Sequence, residues 1–311
     1  MNPDGELAAA RAAAREKVPF ILSTASSASI EDVARASDSG AEEGEKAERW
    51  FQLYWPAREH DDITVSLLER AKRSGFSVLV VTLDTYILGW RPSDMDNGYN
   101  PFLRSDQVGI AIGLSDPVFQ SHFQQKHDGR SVEQDLGAAA AEWTRTIFPG
   151  TTHTLDGVAF LREHWDGPIV LKGIQSAADA REIAASGLAD GIVVSNHGGR
   201  QADGGVSSLG VLPSIIEAVT PANGSRKLQV LFDSGIRSGA DIAKALALGA
   251  DMCLIGRPYV YGLVLGGEEG VAHVLRSLLG DLELTLHLSG IGSVAKEDLN
   301  RGVLVKEDEL V

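Results

Sequence analysis

Seven short apolar runs recur along the 311-residue chain, and a polar loop and a segment of helical periodicity follow most of them. Some runs are almost free of polar residues, as in SVLVVTLD at 77–84, which is typical of parallel strands buried on both faces. This alternation predicts an α/β fold in which right-handed crossovers join parallel strands. The predicted strands cover 18–23, 49–55, 77–84, 168–173, 191–196, 228–235 and 251–258, and the last two helices cover 270–290 and 294–300.

Two architectures accept this pattern. A TIM (β/α)8 barrel requires eight strand–helix units, whereas a doubly wound open sheet accepts seven. The segments 185–199 and 247–258 share one order of helix, glycine, Ala-Asp, strand and glycine-containing loop, which indicates repeated βα units. We expect a single domain over 1–311 with a long irregular insertion at about 85–150, of the kind that forms a lid or is disordered, and with a helix over 133–147 near its end.

Charge and cysteine content narrow the possible partners and location. The net charge of −15 disfavours contact with nucleic acid and anionic membranes. Cys253 is the only cysteine, so no internal disulfide can form, which fits a reducing compartment. No stretch of the sequence reaches the length of a membrane span, and the N-terminal sequence lacks the apolar core of a signal peptide. We therefore expect a cytoplasmic protein that binds neither nucleic acid nor membrane.

Polar side chains stand at the carboxyl end of every predicted strand. Both candidate folds bind ligands at this end, where the loops converge. These residues are Ser23, Thr24, Gln52, Tyr54, Thr82, Asp84, Arg91, Lys172, Ser195, Asn196, His197, Arg200, Asp233, Ser234, Gly235, Arg237, Gly256 and Arg257. So many polar groups at one edge predict a ligand site.

The last two loops, DSGIRSG and IGRP, suit a phosphate group. Gly235 and Gly256 let backbone N–H groups approach an anion, and Arg237 and Arg257 supply bidentate charge. Barrel phosphate sites are commonly built from the loops after the last two strands. Each loop taken singly is explained equally well as a tight turn with a surface arginine, whereas the pair favours phosphate.

His197 and Lys172 each allow two interpretations. A histidine in a loop is usually structural or exposed, but Arg200 three residues on and a possible partner in Asp84 favour a general base. Lys172 could place its ammonium in solvent, or it could point into the mouth of a barrel and stabilise negative charge. The other histidines lack metal-ligand spacing, and no G-x-G-x-x-G or P-loop motif follows a strand, so no metal, nicotinamide or ATP site is predicted.

The chain resembles the FMN-dependent α-hydroxy-acid oxidases and dehydrogenases. The motifs NPDGE, FQLY, TLDT…GWR, LKG, SNHGGRQ, FDSGIRSG, KALALGAD and IGRP occur in the order of that family, from residue 2 to residue 258. TLDTYILGWRPSDMD, with Trp90 before Arg91, is more similar to the lactate 2-monooxygenase branch than to glycolate oxidase. The resemblance implies a TIM barrel with bound FMN, in a homo-oligomer that is a tetramer in the family. It also implies oxidation of a small L-2-hydroxy acid such as L-lactate with O₂ as acceptor, by an oxidase or a monooxygenase.

The resemblance also implies a role for each matching residue. His197 would take the substrate hydroxyl proton and Asp84 would orient it, while Lys172 would lie at the flavin N1/O2 edge. Arg91 and Arg200 would clamp the substrate carboxylate, and Tyr54 would hydrogen-bond a substrate oxygen. The implied FMN contacts are Ser23, Gln52, Thr82, Lys172, Ser195, Asp233, Gly235, Arg237, Gly256 and Arg257.

Two departures from the family pattern leave a second hypothesis open. The family's first barrel strand should precede NPDGE, so we expect seven of the eight strands. Ser234 stands where the family usually has glycine, which predicts either crowding of the cofactor or an unusual backbone angle. The alternative is therefore a truncated, catalytically weak barrel that acts as a binding protein. The retained charged residues argue against it, and the full motif set disfavours another phosphate-binding barrel such as an aldolase.

Overall fold

Seven parallel strands form one curled sheet in the computed structural model, which describes residues 2–103, 108–221, 226 and 228–306. Each strand pairs with the next one along the chain, in the order β1 to β7. The strands are β1 (Phe20–Ser23), β2 (Arg49–Tyr54), β3 (Val78–Thr82), β4 (Ile169–Ile174), β5 (Gly191–Val194), β6 (Gln229–Phe232) and β7 (Met252–Cys253). A doubly wound sheet would reverse its order partway, so the strand order confirms the barrel-type architecture and excludes the open-sheet alternative.

Over the described residues β1 pairs only with β2, and β7 pairs only with β6. The sheet is therefore a barrel wall with one gap, which agrees with the expected count of seven strands.

Twelve α-helices surround or extend this sheet within the described ranges. They are α1 (Gly5–Arg15), α2 (Ile30–Gly40), α3 (Asp61–Arg73), α4 (Pro92–Asp96), α5 (Ala111–Leu114), α6 (Pro117–Lys126), α7 (Leu136–Ile147), α8 (Val158–His164), α9 (Ala177–Ser186), α10 (Ser208–Val219), α11 (Gly239–Ala247) and α12 (Arg257–Leu288). Short 3-10 turns occur at Arg58–His60, Pro101–Leu103, Leu155–Gly157, His197–Gly199 and Arg301–Val303. None of these helices is long and apolar enough to cross a bilayer.

Alternate strand residues face two apolar layers, which explains the nearly continuous apolar runs. Phe51 and Leu79 are fully buried in the outer layer between sheet and helices. Trp50, Val80 and Val193 belong to the inner layer within the curled sheet. Because both faces of each strand are covered, polar residues are confined to the strand ends.

Three expectations about element limits are corrected. The insertion at 85–150 contains the helices α4 to α7, because Phe119 and Trp143 form a buried aromatic core with ring centroids 5.1 Å apart. The strand predicted over 251–258 has only two residues, since Gly256 caps α12 directly. No helix forms over 294–300. Side-chain hydrogen bonds from Ser293 to Asp298 and from Asn300 to nearby carbonyls replace helical bonding there.

Candidate active site

A cavity of about 490 Å³ opens at the carboxyl ends of the strands. Most of the residues singled out from the sequence line its wall. They are Ser23, Gln52, Tyr54, Thr82, Lys172, His197, Arg200, Asp233, Ser234, Gly235, Arg237, Gly256 and Arg257. The other five, Thr24, Asp84, Arg91, Ser195 and Asn196, are not part of this wall. Asp84, Arg91 and Ser195 contact residues that are.

His197 and Asp84 meet although they belong to loops after different strands. The Nδ1 atom of His197 lies 2.9 Å from Oδ1 of Asp84. His197, Gly198 and Gly199 all have positive φ values of 56°, 65° and 72°, which makes the turn after β5 tight. The φ of 65° at Gly198 favours glycine, and a Cβ there would displace the guanidinium of Arg257, which lies 2.8 Å from that position. The turn presents the imidazole to the cavity.

Ser195 supports this turn from within the protein. Its side chain is fully buried, and its hydroxyl accepts a hydrogen bond of 3.0 Å from the backbone N–H of His197. Ser195 thus supports the turn that carries His197. Its role as an FMN contact stays a prediction.

Lys172 occupies the centre of the charged groups. Its Nζ lies 3.5 Å from Nδ1 of His197, 3.6 Å from Asp84 and 3.7 Å from Asp233. The neighbouring Gly173 has a φ of 105° at a register shift in β4, and a Cβ there would lie 2.7 Å from the side chain of Asp84. The glycine therefore permits the close approach of the loops after β3 and β4.

The electrostatics keep Asp84 ionised and Tyr54 protonated. Burial acts to raise the pKa of Asp84, but the hydrogen bond with His197 and the charge of Lys172 outweigh it, so the pKa lies below its usual value. Burial, aided by the charge of Asp84, raises the pKa of the Tyr54 phenol above its ordinary value. Tyr54 can therefore donate a hydrogen bond into the cavity at neutral pH.

Arg91 and Arg200 form a pair of cations at the mouth. Nε of Arg91 donates to the backbone oxygen of Arg200 at 3.1 Å, and its Nη2 donates to the side chain of Gln201 at 3.2 Å. A carboxylate oxygen of Asp94 lies 3.8 Å from both guanidinium groups. Burial and the neighbouring charge of Arg200 lower the pKa of Arg91. Two converging guanidinium groups are suited to bind a ligand carboxylate.

Three polar side chains form a hydrogen-bonded row across the ends of β1, β2 and β3. The Ser23 hydroxyl donates to Oε1 of Gln52 at 2.6 Å, and Nε2 of Gln52 donates to the Thr82 hydroxyl at 2.8 Å. These bonds hold the Gln52 amide in place between the two hydroxyls. The row presents polar atoms at the cavity wall.

The loops after β6 and β7 fit a phosphate. Gly235 has a φ of 112°, and a Cβ on Gly235 or on Gly256 would meet nothing within 4 Å, so an anion can approach both backbones. Arg237 donates to the Ile236 carbonyl, and Arg257 donates to the Gly198 carbonyl at 2.7 Å. Neither guanidinium is paired with a carboxylate within the described ranges. Free positive charge beside open backbone is the donor set that a phosphate requires.

Ser234 adopts the backbone angle expected from its departure from the family pattern. Its φ is 76°, in the left-handed region that favours glycine. The hydroxyl donates to Oδ1 of Asp233 at 2.6 Å and accepts the backbone N–H of Gly198 at 2.9 Å. The side chain thus links the β6 loop to the loop that carries His197.

Two contacts of the site were missed in the sequence. The hydroxyl of Thr85 lies 3.0 Å from Nδ1 of His197. The amide of Gln201 donates to the carbonyls of Asp84 and Ile87, each at 2.9 Å. Thr85 is the last residue of the motif TLDT, and Gln201 is the last residue of SNHGGRQ. Their position in these motifs was the sequence signal that could have identified them as part of the site.

Comparison with known proteins extends over almost the whole chain. A family model described as FMN-dependent dehydrogenase matches residues 1–305. The chain is 61% identical over 307 residues to an FMN-dependent alpha-hydroxy acid dehydrogenase of Schizosaccharomyces pombe, a match covering 99% of this chain and 72% of that protein. It is 39% identical over 310 residues to an L-lactate oxidase of Lysinibacillus sphaericus, covering 99% and 72%. The matched ranges include every strand of the sheet.

The fold likeness agrees with the sequence likeness. A crystal structure of mandelate oxidase has a TM-score of 0.74 to this chain at 37% identity. The superposition covers 94% of this chain and 72% of the other. The curled parallel sheet of this chain therefore corresponds to the sheet of a TIM-barrel protein.

Proposed function

The chain belongs to the FMN-dependent dehydrogenase family and is an FMN-dependent oxidoreductase of α-hydroxy acids, and on that premise we propose that its substrate is a small L-2-hydroxy acid such as L-lactate, with O₂ as electron acceptor. The observation that carries the proposal is the contact between His197 and Asp84 beside Arg200. This arrangement places a proton acceptor, His197, in the same cavity wall as Arg200, which can bind a carboxylate.

His197 is the group that removes the substrate hydroxyl proton in this proposal. With Nδ1 facing the Asp84 carboxylate, Nδ1 carries the ring proton and Nε2 has a free lone pair. The hydroxyl proton passes to Nε2 while the α-hydrogen leaves with its electron pair, and the C–O bond becomes a carbonyl. Asp84 stabilises the imidazolium that forms, and Lys172 offsets part of the carboxylate's charge.

The substrate carboxylate is held at the mouth by Arg200 and Arg91. Bidentate contact fixes the rotation of the α-carbon, so the hydroxyl faces His197. Tyr54 donates to a substrate oxygen, because its phenol stays protonated in its buried position. A small α-substituent leaves these contacts undisturbed.

Bound FMN supplies the two-electron acceptor of the reaction. Ser23, Gln52 and Thr82 would hold its ring system, and Lys172 would balance negative charge on the reduced ring. Asp233 would bind the ribityl chain. Gly235, Arg237, Gly256 and Arg257 would bind the phosphate.

The proposal is tested by the visible spectrum of the purified protein. Flavin bands should be present, or should appear on reconstitution with FMN, and should bleach anaerobically on addition of L-lactate. A protein that stays colourless with added FMN contradicts the proposal and favours the binding-protein alternative. Bleaching by glycolate or mandelate but not by L-lactate would contradict the substrate assignment alone.

Aerobic products distinguish two outcomes that the site accommodates equally. An oxidase yields pyruvate and hydrogen peroxide, whereas a 2-monooxygenase yields acetate, carbon dioxide and water. A His197→Ala variant should keep the flavin and lose bleaching, while His287→Ala, an exposed position near the end of α12, should behave as the wild type. Undiminished bleaching in His197→Ala would refute the role given to this histidine.

A further inference from the structure

Thr85 lies behind the catalytic pair and has no role among the residues identified from the sequence. Its side chain is 3% exposed, and it follows Asp84 directly in the loop after β3. Its hydroxyl oxygen lies 2.9 Å from Oδ1 of Asp84 and 3.0 Å from Nδ1 of His197. The same Nδ1 lies 2.9 Å from the same Oδ1, so the three atoms form a nearly equilateral triangle.

Proton counting assigns the donors in this triangle. The ionised Asp84 carboxylate accepts only, so the Thr85 hydroxyl donates its one proton to Oδ1. Its lone pairs are then free to accept from Nδ1–H of His197, which is shared between Oδ1 and the hydroxyl. If Nδ1 carried a lone pair instead, it would face the carboxylate oxygen at 2.9 Å with no proton between them. Nζ of Lys172 also faces Nδ1, at 3.5 Å, but it lies farther away than Oδ1 and the Thr85 hydroxyl, so the arrangement with Nδ1–H satisfies the three closest groups.

We propose that Thr85 is a positioning residue, which holds the ring of His197 in the Nδ1–H tautomer and gives the imidazolium a second acceptor. The inference rests on the proposed function, since it assigns His197 as the base. Oδ2 of Asp84 has no hydrogen-bond partner in the described part of the chain, with Lys172 3.6 Å away. The hydrogen bonds of the Asp84 carboxylate are therefore made by Oδ1, which accepts from both His197 and Thr85.

The Thr85→Val variant tests this role because valine keeps the shape of threonine and removes only the hydroxyl. Thr85 also borders a second cavity of about 140 Å³, which leaves space beside the residue for the valine side chain to shift. The matched control is Thr146→Val in α7, where a 4% exposed threonine donates to the Glu142 carbonyl of its own helix.

Kinetics of the FMN-loaded enzyme give the first readout. Thr85→Val should lower kcat about two- to twelvefold with KM unchanged, the range expected for loss of one hydrogen bond. The isotope effect of an α-deuterated substrate on kcat should rise, since removal of the α-hydrogen becomes more rate-limiting. Thr85→Ser should restore both values, and Thr146→Val should change neither. An unchanged kcat in Thr85→Val, or no rescue by serine, would overturn the proposal.

Nuclear magnetic resonance of ¹⁵N-histidine-labelled protein gives a second readout that needs no turnover. The His197 ring signals are assigned by their loss in His197→Gln. The wild type should show protonated Nδ1 and unprotonated Nε2, and the Nδ1 proton signal should shift in Thr85→Val and return to its wild-type position in Thr85→Ser. An unmoved signal refutes the role of Thr85. A wild-type protein that oxidises no 2-hydroxy acid refutes the proposed function separately.

Discussion

Nδ1 of His197 lies 2.9 Å from Oδ1 of Asp84, although 113 positions separate the two residues in the chain. The glycine turn after β5 presents the imidazole, and the register shift at Gly173 lets the Asp84 loop approach it. The carboxyl ends of β3, β4 and β5 therefore together place the two side chains in contact. The chemistry of the pair depends on both side chains.

Replacing Asp84 with asparagine should lower kcat about 10²- to 10⁴-fold, because an amide cannot stabilise the imidazolium and can hold the wrong tautomer. FMN binding should persist, since Asp84 is not part of the cavity wall. Stopped-flow reduction of the flavin by L-lactate measures the effect. The control is Asp166→Asn, whose carboxylate is 91% exposed. A reduction rate within threefold of the wild type would contradict the assignment.

Ser234 offers a separate test of backbone strain. Ser234→Ala keeps a φ of 76° on a residue with a Cβ and loses both hydrogen bonds, whereas Ser234→Gly loses the bonds and relieves the strain. The free energy of unfolding of the glycine variant should be about 0.5–1 kcal/mol larger than that of the alanine variant, so the glycine variant is the more stable one. Urea titration of the two variants measures the difference, and an alanine variant as stable as the glycine variant would disprove the strain.

Arg257 should contribute to FMN affinity through the phosphate. Arg257→Ala should raise the Kd for FMN about 10- to 150-fold, the range for a hydrogen bond to a charged group. Fluorescence quenching of added FMN measures the Kd. Arg35→Ala, at a side chain 72% exposed, is the matched control. The same loss of affinity for riboflavin, which lacks the phosphate, would contradict the assignment.

The ion pair between the partly exposed Glu31 and the buried Arg70, which also contacts the buried Asp116, should make stability depend on acid pH. The hydrogen bond with Arg70 lowers the pKa of Glu31 below its ordinary 4.5 despite the opposing effect of burial. The stabilisation is therefore complete above pH 4.5 and is lost as the pH falls through the lowered value. Glu31→Gln should flatten this acid limb in urea titrations at pH 3 to 6, and an unchanged slope would argue against the linkage.

Arg70→Met should destabilise the fold by about 3–5 kcal/mol at pH 7, because it leaves the fully buried Asp116 carboxylate without its cation. The loss should appear in the midpoint of thermal or urea unfolding. Arg73→Met, at a side chain 70% exposed in the same helix, should have little effect. Equal stability of the two variants would show that Asp116 is satisfied without Arg70.

Much of the fold could be predicted because its signals are local. Burial of both strand faces leaves unbroken apolar runs, and the helix starts at Ser29, Ser176 and Ser238 follow from side-chain caps that the structure contains. The insertion was less predictable. The helix expected over 133–147 has a local signal and corresponds to α7, whereas the packing of Phe119 against Trp143 has none.

The sequence by itself determined which side chains stand at the carboxyl ends of the strands, because strand period and loop position are properties of neighbouring residues. The resemblance added their roles. Only the tertiary structure decided which of these side chains touch. In the tertiary structure Ser195 lies beneath the turn that carries His197, and Thr85 contacts His197. Lys172 lies between His197, Asp84 and Asp233. Such distances depend on sheet curvature and on the register shift at Gly173, which join segments more than a hundred residues apart.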